Sequence, residues 1–240
     1  HGLGGDMKPC QTMLASVKNV RKIFMDVRGH GETALGPAKK LKFCQLAKDA
    51  VALMDNLSIK RFVVGGISMG SGIAIRLALD FPDRVKALVL VRPAWLDKPY
   101  PKNLKEHTMI GRLLKRYSLE EAKSAFLKSG GYKRLKASSP ATANSLLGQF
   151  DSREAKERAE RLIRISSSVP FTRMADIAKI NAKTIVIGTD CDPAHPLEIA
   201  KEIAAAIPKS EFKQIISKSE NTAKHLSECA RLVSIFLKKS

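Results

Sequence analysis

The chain has 240 residues, 44% of them hydrophobic, with a formal net charge of +19 and a pI near 10.0. That length fits one domain with an insertion and is enough to bury a substantial core. No apolar run approaches the ~18 residues of a membrane-spanning helix. Aromatic residues make up only 5%, and the lysines and arginines are spread along the whole chain, which excludes a base-stacking nucleic-acid platform. Cys10, Cys44, Cys191 and Cys229 follow no Cys-x-x-Cys spacing. They are read as free thiols in a reducing, cytoplasmic compartment, with no metal site and no cofactor among the expectations.

In chain order, a glycine-rich opening (His1 to Gly5) leads into residues 6–18, which suit a helix, and 21–26, which suit a buried strand. Residues 38–56 set Leu41, Cys44, Ala47, Val51 and Met54 on one helical stripe, widened by Leu46, Ala50 and Leu53. A turn at Asp55-Asn56 precedes a short apolar strand over 61–65, and 73–79 has helical spacing and good helix formers. Ala87–Val91 reads as a strand that Pro93 stops. Residues 96–170 are helical in pattern and more charged, broken at Pro99, Pro101, Gly130-Gly131 and Pro140. A strand over 183–188, a helix over 197–206, a strand over 211–217 and an amphipathic helix over 222–238 complete the chain. The last helix turns Leu226, Cys229, Leu232, Val233 and Phe236 inward.

The most informative stretch is Gly65 to Gly72, which holds G-x-S-x-G with Ser68 between Gly66 and Gly70. A strand before it and a helix after it put Ser68 on a tight strand-to-helix turn, where a side chain is forced outward. A Cβ at either flanking glycine would collide with neighbouring backbone. The new helix aims its N-terminus at the serine, where negative charge is favoured. Ser68 is therefore the nucleophile candidate.

Three further motifs occur in order. They are H-G-L-G-G at His1 to Gly5, D-V-R-G-H-G-E-T at Asp26 to Thr33, and F-P-D-R-V-K-A-L-V-L-V at Phe81 to Val91. With the elbow, they make the chain resemble the α/β-hydrolase superfamily along nearly its whole length. The resemblance implies an α/β fold: a mostly parallel sheet flanked by helices, with 1–95 and 171–240 as core and 96–170 as a helical cap after the sixth strand. It also implies that the first three strands are absent from this sequence, so that the chain is a fragment of a longer open reading frame. The third of those strands would lie between 21–26 and 61–65. Without it two rows of buried backbone groups go unpaired, at about 1–3 kcal/mol each. With no initiator methionine in the sequence, a secretory signal stays open.

The resemblance also assigns roles. Asp192, in D-P-A-H-P, matches the family's acid, with Asp190 as competitor and a plain turn or helix cap as the bland account. The family's histidine follows the eighth strand, but here Ser217 to Asn221 holds none. His225 is the next downstream and is taken as base, with His195, beside the acid, second. His30 belongs to the R-G-H-G loop and reads as structural or pocket-lining, and His107 lies in the cap. Backbone N–H groups of Met69 and Leu3 would form the oxyanion hole, in a loop shaped by His1 and Gly2. The implied activity is hydrolysis of a small-molecule ester or related acyl bond in a mostly apolar pocket. The rivals are a C–C hydrolase or haloperoxidase-like member of the same fold, a binding protein that keeps the elbow but has lost the base, and a basic binding module.

Overall fold

The computed structural model describes residues 1–152 and 154–239. The chain opens with α1 (Lys8–Met13) and α2 (Phe43–Asn56), then β1 (Phe62–Ile67), α3 (Met69–Asp80) and β2 (Val85–Val91). A run of helices follows: α4 (Lys105–Arg116), α5 (Leu119–Lys128), α6 (Gly130–Ser138), α7 (Pro140–Leu147) and α8 (Glu160–Arg164). The chain ends with α9 (Met174–Ile177), β3 (Lys183–Thr189), α10 (Leu197–Ala206), β4 (Ser210–Ile215) and α11 (Thr222–Leu237).

The four strands form one parallel sheet in the order β1-β2-β3-β4, with Gly66 opposite Leu90 and Val91 opposite Ile187. Helices cover both faces, as an all-parallel sheet requires. The inner strands β2 and β3 are accordingly buried at all but one position each, Lys86 and Lys183. On one face α2, α3 and α10 pack with the α4–α8 segment around Phe43, Leu46, Leu77 and Trp95. On the other, α1 and α11 meet the sheet through Met13, Val17, Cys229, Val233 and Phe236. Leu226 and Leu232 pack against that second core from partly buried positions. None of the described helices is long and apolar enough to cross a membrane.

Two expectations are corrected. Residues 21–26 form no strand. A strand exists only through its ladder, and β1 pairs with β2 alone, so nothing hydrogen-bonds this segment into the sheet. β1 is consequently an edge strand, with Gly65 exposed. The opening helix covers only Lys8–Met13 rather than 6–18, with Pro9 in its first turn and no side-chain cap. The second helix likewise splits into a 3₁₀ turn at Ala38–Lys40 and α2. The carboxyl ends of β1, β2 and β3 carry Ser68, Arg92 and the 190–192 loop respectively, where open parallel sheets place their ligand crevice.

Candidate active site

Ser68 is held at φ +57°, ψ −111°, between the end of β1 and the first turn of α3. A non-glycine residue there stores about 1–3 kcal/mol of backbone strain. Its N–H donates to Val91 O at 2.9 Å, and its carbonyl accepts from Ser71 N at 3.0 Å, so the turn is fixed on both sides. A Cβ on Gly66 would run into the backbone of Gly70, and one on Gly70 would lie 3.0 Å from His1 N. Both elbow glycines are thus required by close approach. The Ser68 hydroxyl is free of protein hydrogen bonds among the described residues and faces a cavity of about 230 Å³.

Backbone strain clusters at this cavity. Ser68, Arg92 (φ +46°) and Cys191 (φ +51°) all line it, although positive φ occurs at only six non-glycine residues described. Strain kept in this way marks a place where geometry is over-determined by its surroundings. Gly2, Leu3, Asp192, His195, His107 and Gln149 share the same walls. Leu104, Ala141 and Leu146 are apolar, while Ser139, Thr142 and Ser145 contribute hydroxyls.

The opening loop is docked on the elbow. Gly70 N donates to His1 O at 3.0 Å, and a Cβ on Gly2 would lie 3.7 Å from Ser68 Cβ. His1 uses both ring nitrogens. Val27 N donates to Nε2 at 3.1 Å, which makes Nδ1 the protonated nitrogen, donating to Gly2 O at 2.9 Å. Gly5 N closes a turn onto Gly2 O at 3.2 Å, and Gly4 within it takes φ +79°. Among the described residues, the N–H groups of Leu3 and Met69 donate to no protein acceptor. They remain available, next to Ser68, to an incoming oxygen.

Asp192 and His195 form a partly buried pair: His195 Nδ1 donates to Asp192 Oδ2 at 2.8 Å. Arg92 Nη1 reaches the same oxygen at 3.1 Å, and Ala194 N donates to Oδ1 at 3.2 Å. Burial alone would raise the Asp192 pKa. The contact with His195, the Arg92 charge and the Ala194 N–H outweigh it and hold the carboxyl well below the usual carboxylate range. Burial pushes the His195 pKa down, and Arg92 adds to that against the opposing pull of Asp192. At neutral pH His195 is therefore a neutral imidazole with Nε2 as its basic nitrogen. His107, on α4, is pushed down to about 4 by burial and by His195, and its buried Nδ1 has no partner among the described residues.

The other candidates lie elsewhere. His225 is buried in the first turn of α11, donates Nδ1–H to Ile216 O at 2.9 Å and is not among the cavity-lining side chains. Asp190 is exposed and accepts from Gln214 Nε2 at 3.2 Å. His30 is fully buried behind His1, with ring centroids 4.9 Å apart, and burial pushes its pKa down to about 3. After β4, Ser217, Lys218 and Ser219 line the cavity. The site residues that pattern reading missed are Arg92 and Gln149. A charged residue directly after a buried strand was a signal for the first; nothing local marks the second. Among the described residues no group of three or more His, Cys, Asp or Glu gathers to hold a metal ion.

Comparison with known proteins agrees with this fold. A family model described as alpha/beta hydrolase fold matches residues 1–223. RutD of Caulobacter segnis, whose name proposes carbamate hydrolysis, is 27% identical over 226 residues, covering 89% of this chain and 80% of that protein. The acetyltransferase component of an acetoin-cleaving system from Cupriavidus necator is 34% identical over 94 residues, 39% of this chain and 25% of its own. The chain spans only 25–29% of the length of the first curated relatives it matches. Among solved structures, an enol-lactonase from Burkholderia xenovorans superposes with a TM-score of 0.75 at 21% identity, over 99% of this chain and 88% of that one.

Proposed function

Because this chain belongs to the alpha/beta hydrolase family, we propose that it is a serine hydrolase that cleaves a carboxylic ester or related acyl bond of a small molecule. The observation that carries this is the common cavity of Ser68, on its strained turn, and the Asp192–His195 pair. In this proposal Ser68 Oγ attacks the acyl carbon and passes its proton to His195 Nε2. The N–H groups of Leu3 and Met69 receive the oxyanion, and the proton leaves with the alcohol. Water, deprotonated by His195, then attacks the acyl carbon, and that proton returns to Ser68 Oγ as the acid leaves. Asp192 keeps His195 in the Nδ1–H tautomer throughout. The segment from α4 to α8 acts as a cap that supplies the far wall of the pocket. His195 replaces His225 as the favoured base because it both lines the cavity and bonds the acid.

One observation favours a second reading, a family member that binds without catalysing: no histidine nitrogen is hydrogen-bonded to the Ser68 hydroxyl. Labelling by a fluorophosphonate probe separates the two. The hydrolase reading expects rapid labelling that Ser68→Ala abolishes, together with turnover of p-nitrophenyl acetate or butyrate. An unlabelled, inactive protein supports the binding reading.

A further inference from the structure

Arg161 is a buried cation with no carboxylate in contact, although Glu154 acts on it from a distance. It is 7% exposed, and no carboxylate of the described residues lies within ion-pair distance of it. Burial and the nearby Arg158 push its pKa down to about 10, so it stays charged at neutral pH. A desolvated guanidinium is costly unless its donors are used. Arg161 gives Nη1 to Gly29 O at 2.5 Å and Nη2 to Gln149 Oε1 at 3.4 Å. Gln149 in turn donates Nε2 to Gly4 O at 3.3 Å. Arg158, on the same segment as Arg161, bonds Gly31 O.

The chain of contacts ends at the turn that carries Leu3. Gly4 sits at φ +79°, and the face where a Cβ would stand is filled by the Gln149 amide. Gln149 therefore both occupies the open side of Gly4 and holds its carbonyl. It also lines the cavity that Ser68 faces. Residues 149 and 161 lie in the segment between β2 and β3, while Gly4 and Gly29 belong to core loops. The link runs across the cavity roof into the loop beside the nucleophile.

We propose that Gln149, held by Arg161, is a positioning residue of the oxyanion site: it fixes the Gly2–Gly5 turn so that the Leu3 N–H stays aimed at the space above Ser68. The proposal rests on the reading of Leu3 and Met69 as oxyanion donors. It makes the seating of the helical segment a condition for catalysis, because a displaced α7–α8 region releases the turn. Gln149 touches no reacting atom in this role.

Two substitutions test it. Gln149→Glu keeps the shape and the Arg161 partner but cannot donate to Gly4 O. Gln149→Met keeps the volume and loses both bonds. Hydrogen–deuterium exchange of the peptide spanning residues 1–7 is measured beside kcat and KM for p-nitrophenyl acetate. The expected result is exchange at least about tenfold faster in that peptide alone, kcat lower by about 10–100-fold and KM within about threefold. A merely structural role would instead lower Tm and raise exchange throughout the chain. Unchanged exchange in residues 1–7 in both variants overturns the proposal, whether or not the parent turns over an ester. Faster exchange with parental kcat in an active parent overturns it as well. A parent with no turnover but a selectively loosened peptide supports the clamp, and the failure then belongs to the hydrolase reading.

Discussion

Arg92 and His195 bond the same carboxylate oxygen, Asp192 Oδ2, at 3.1 and 2.8 Å. The acid is thereby divided between a permanent cation and a titratable ring. Arg92 is one of the groups that hold the His195 pKa below its ordinary value. In the proposed mechanism His195 acts as the neutral ring, so activity should fall as pH drops through that pKa. Arg92→Met removes a positive neighbour, raises the His195 pKa and moves the acid limb of kcat/KM to higher pH. A pH–rate profile of parent and variant checks this; an unmoved limb would mean that His195 is not the group being titrated.

The two histidines separate by substitution. Ser68→Ala and His195→Gln should each lower kcat for p-nitrophenyl butyrate by about 10³-fold or more. His225→Gln should leave kcat within about tenfold and cost about 1 kcal/mol of stability, the worth of the bond to Ile216 O. The reverse pattern would restore His225 as the base.

Acid sensitivity should come mainly from His30, with His107 adding to it. The folded His30 pKa of about 3 lies below the unfolded 6.5, so folding favours the neutral ring. The stabilisation is complete above pH 6.5 and is lost as pH falls toward 3, by about 5 kcal/mol at most. His30→Asn keeps a donor for Arg28 O and removes the titration. Urea unfolding at pH 7, 5 and 4 should show a flatter dependence in the variant. A slope identical to the parent's would place the acid sensitivity in another group.

At the elbow, Gly66→Ala forces a Cβ into the Gly70 backbone, which cannot yield as a side chain would. The cost should exceed about 4 kcal/mol and abolish soluble expression or serine labelling. Gly148→Ala is the matched control: nothing lies within 4 Å of the added carbon, and the helical φ of −57° suits alanine. Its stability should match the parent's or exceed it by up to about 1 kcal/mol. Equal melting temperatures for both variants would count against the close approach.

The framework was legible because it rests on local patterns. The helix over 197–206 falls on α10 at both ends, and the apolar runs at 87–91 and 183–188 lie within β2 and β3. Ser68 was readable for the same reason, since its strand, glycines and helix are contiguous. The segment 21–26 was misread because its apolar pattern says nothing about whether a neighbouring strand exists to pair with it. The rank order of His195 and His225 was equally hidden: it depends on which ring meets Asp192 across a loop. Gln149 and Gly4 are 145 positions apart, and neither carries a mark of the other.

The side of β1 that no described strand pairs has a consequence for handling this chain. An edge with free N–H and C=O groups is a template for a second molecule to dock strand against strand. The +19 charge opposes such docking through a repulsion that reaches about 8 Å at 0.15 M ionic strength and about 3 Å at 1 M. Colloidal stability in this chain is therefore a property of the buffer as much as of the fold. Dilute salt protects the edge, and concentrated salt lowers the barrier to self-association.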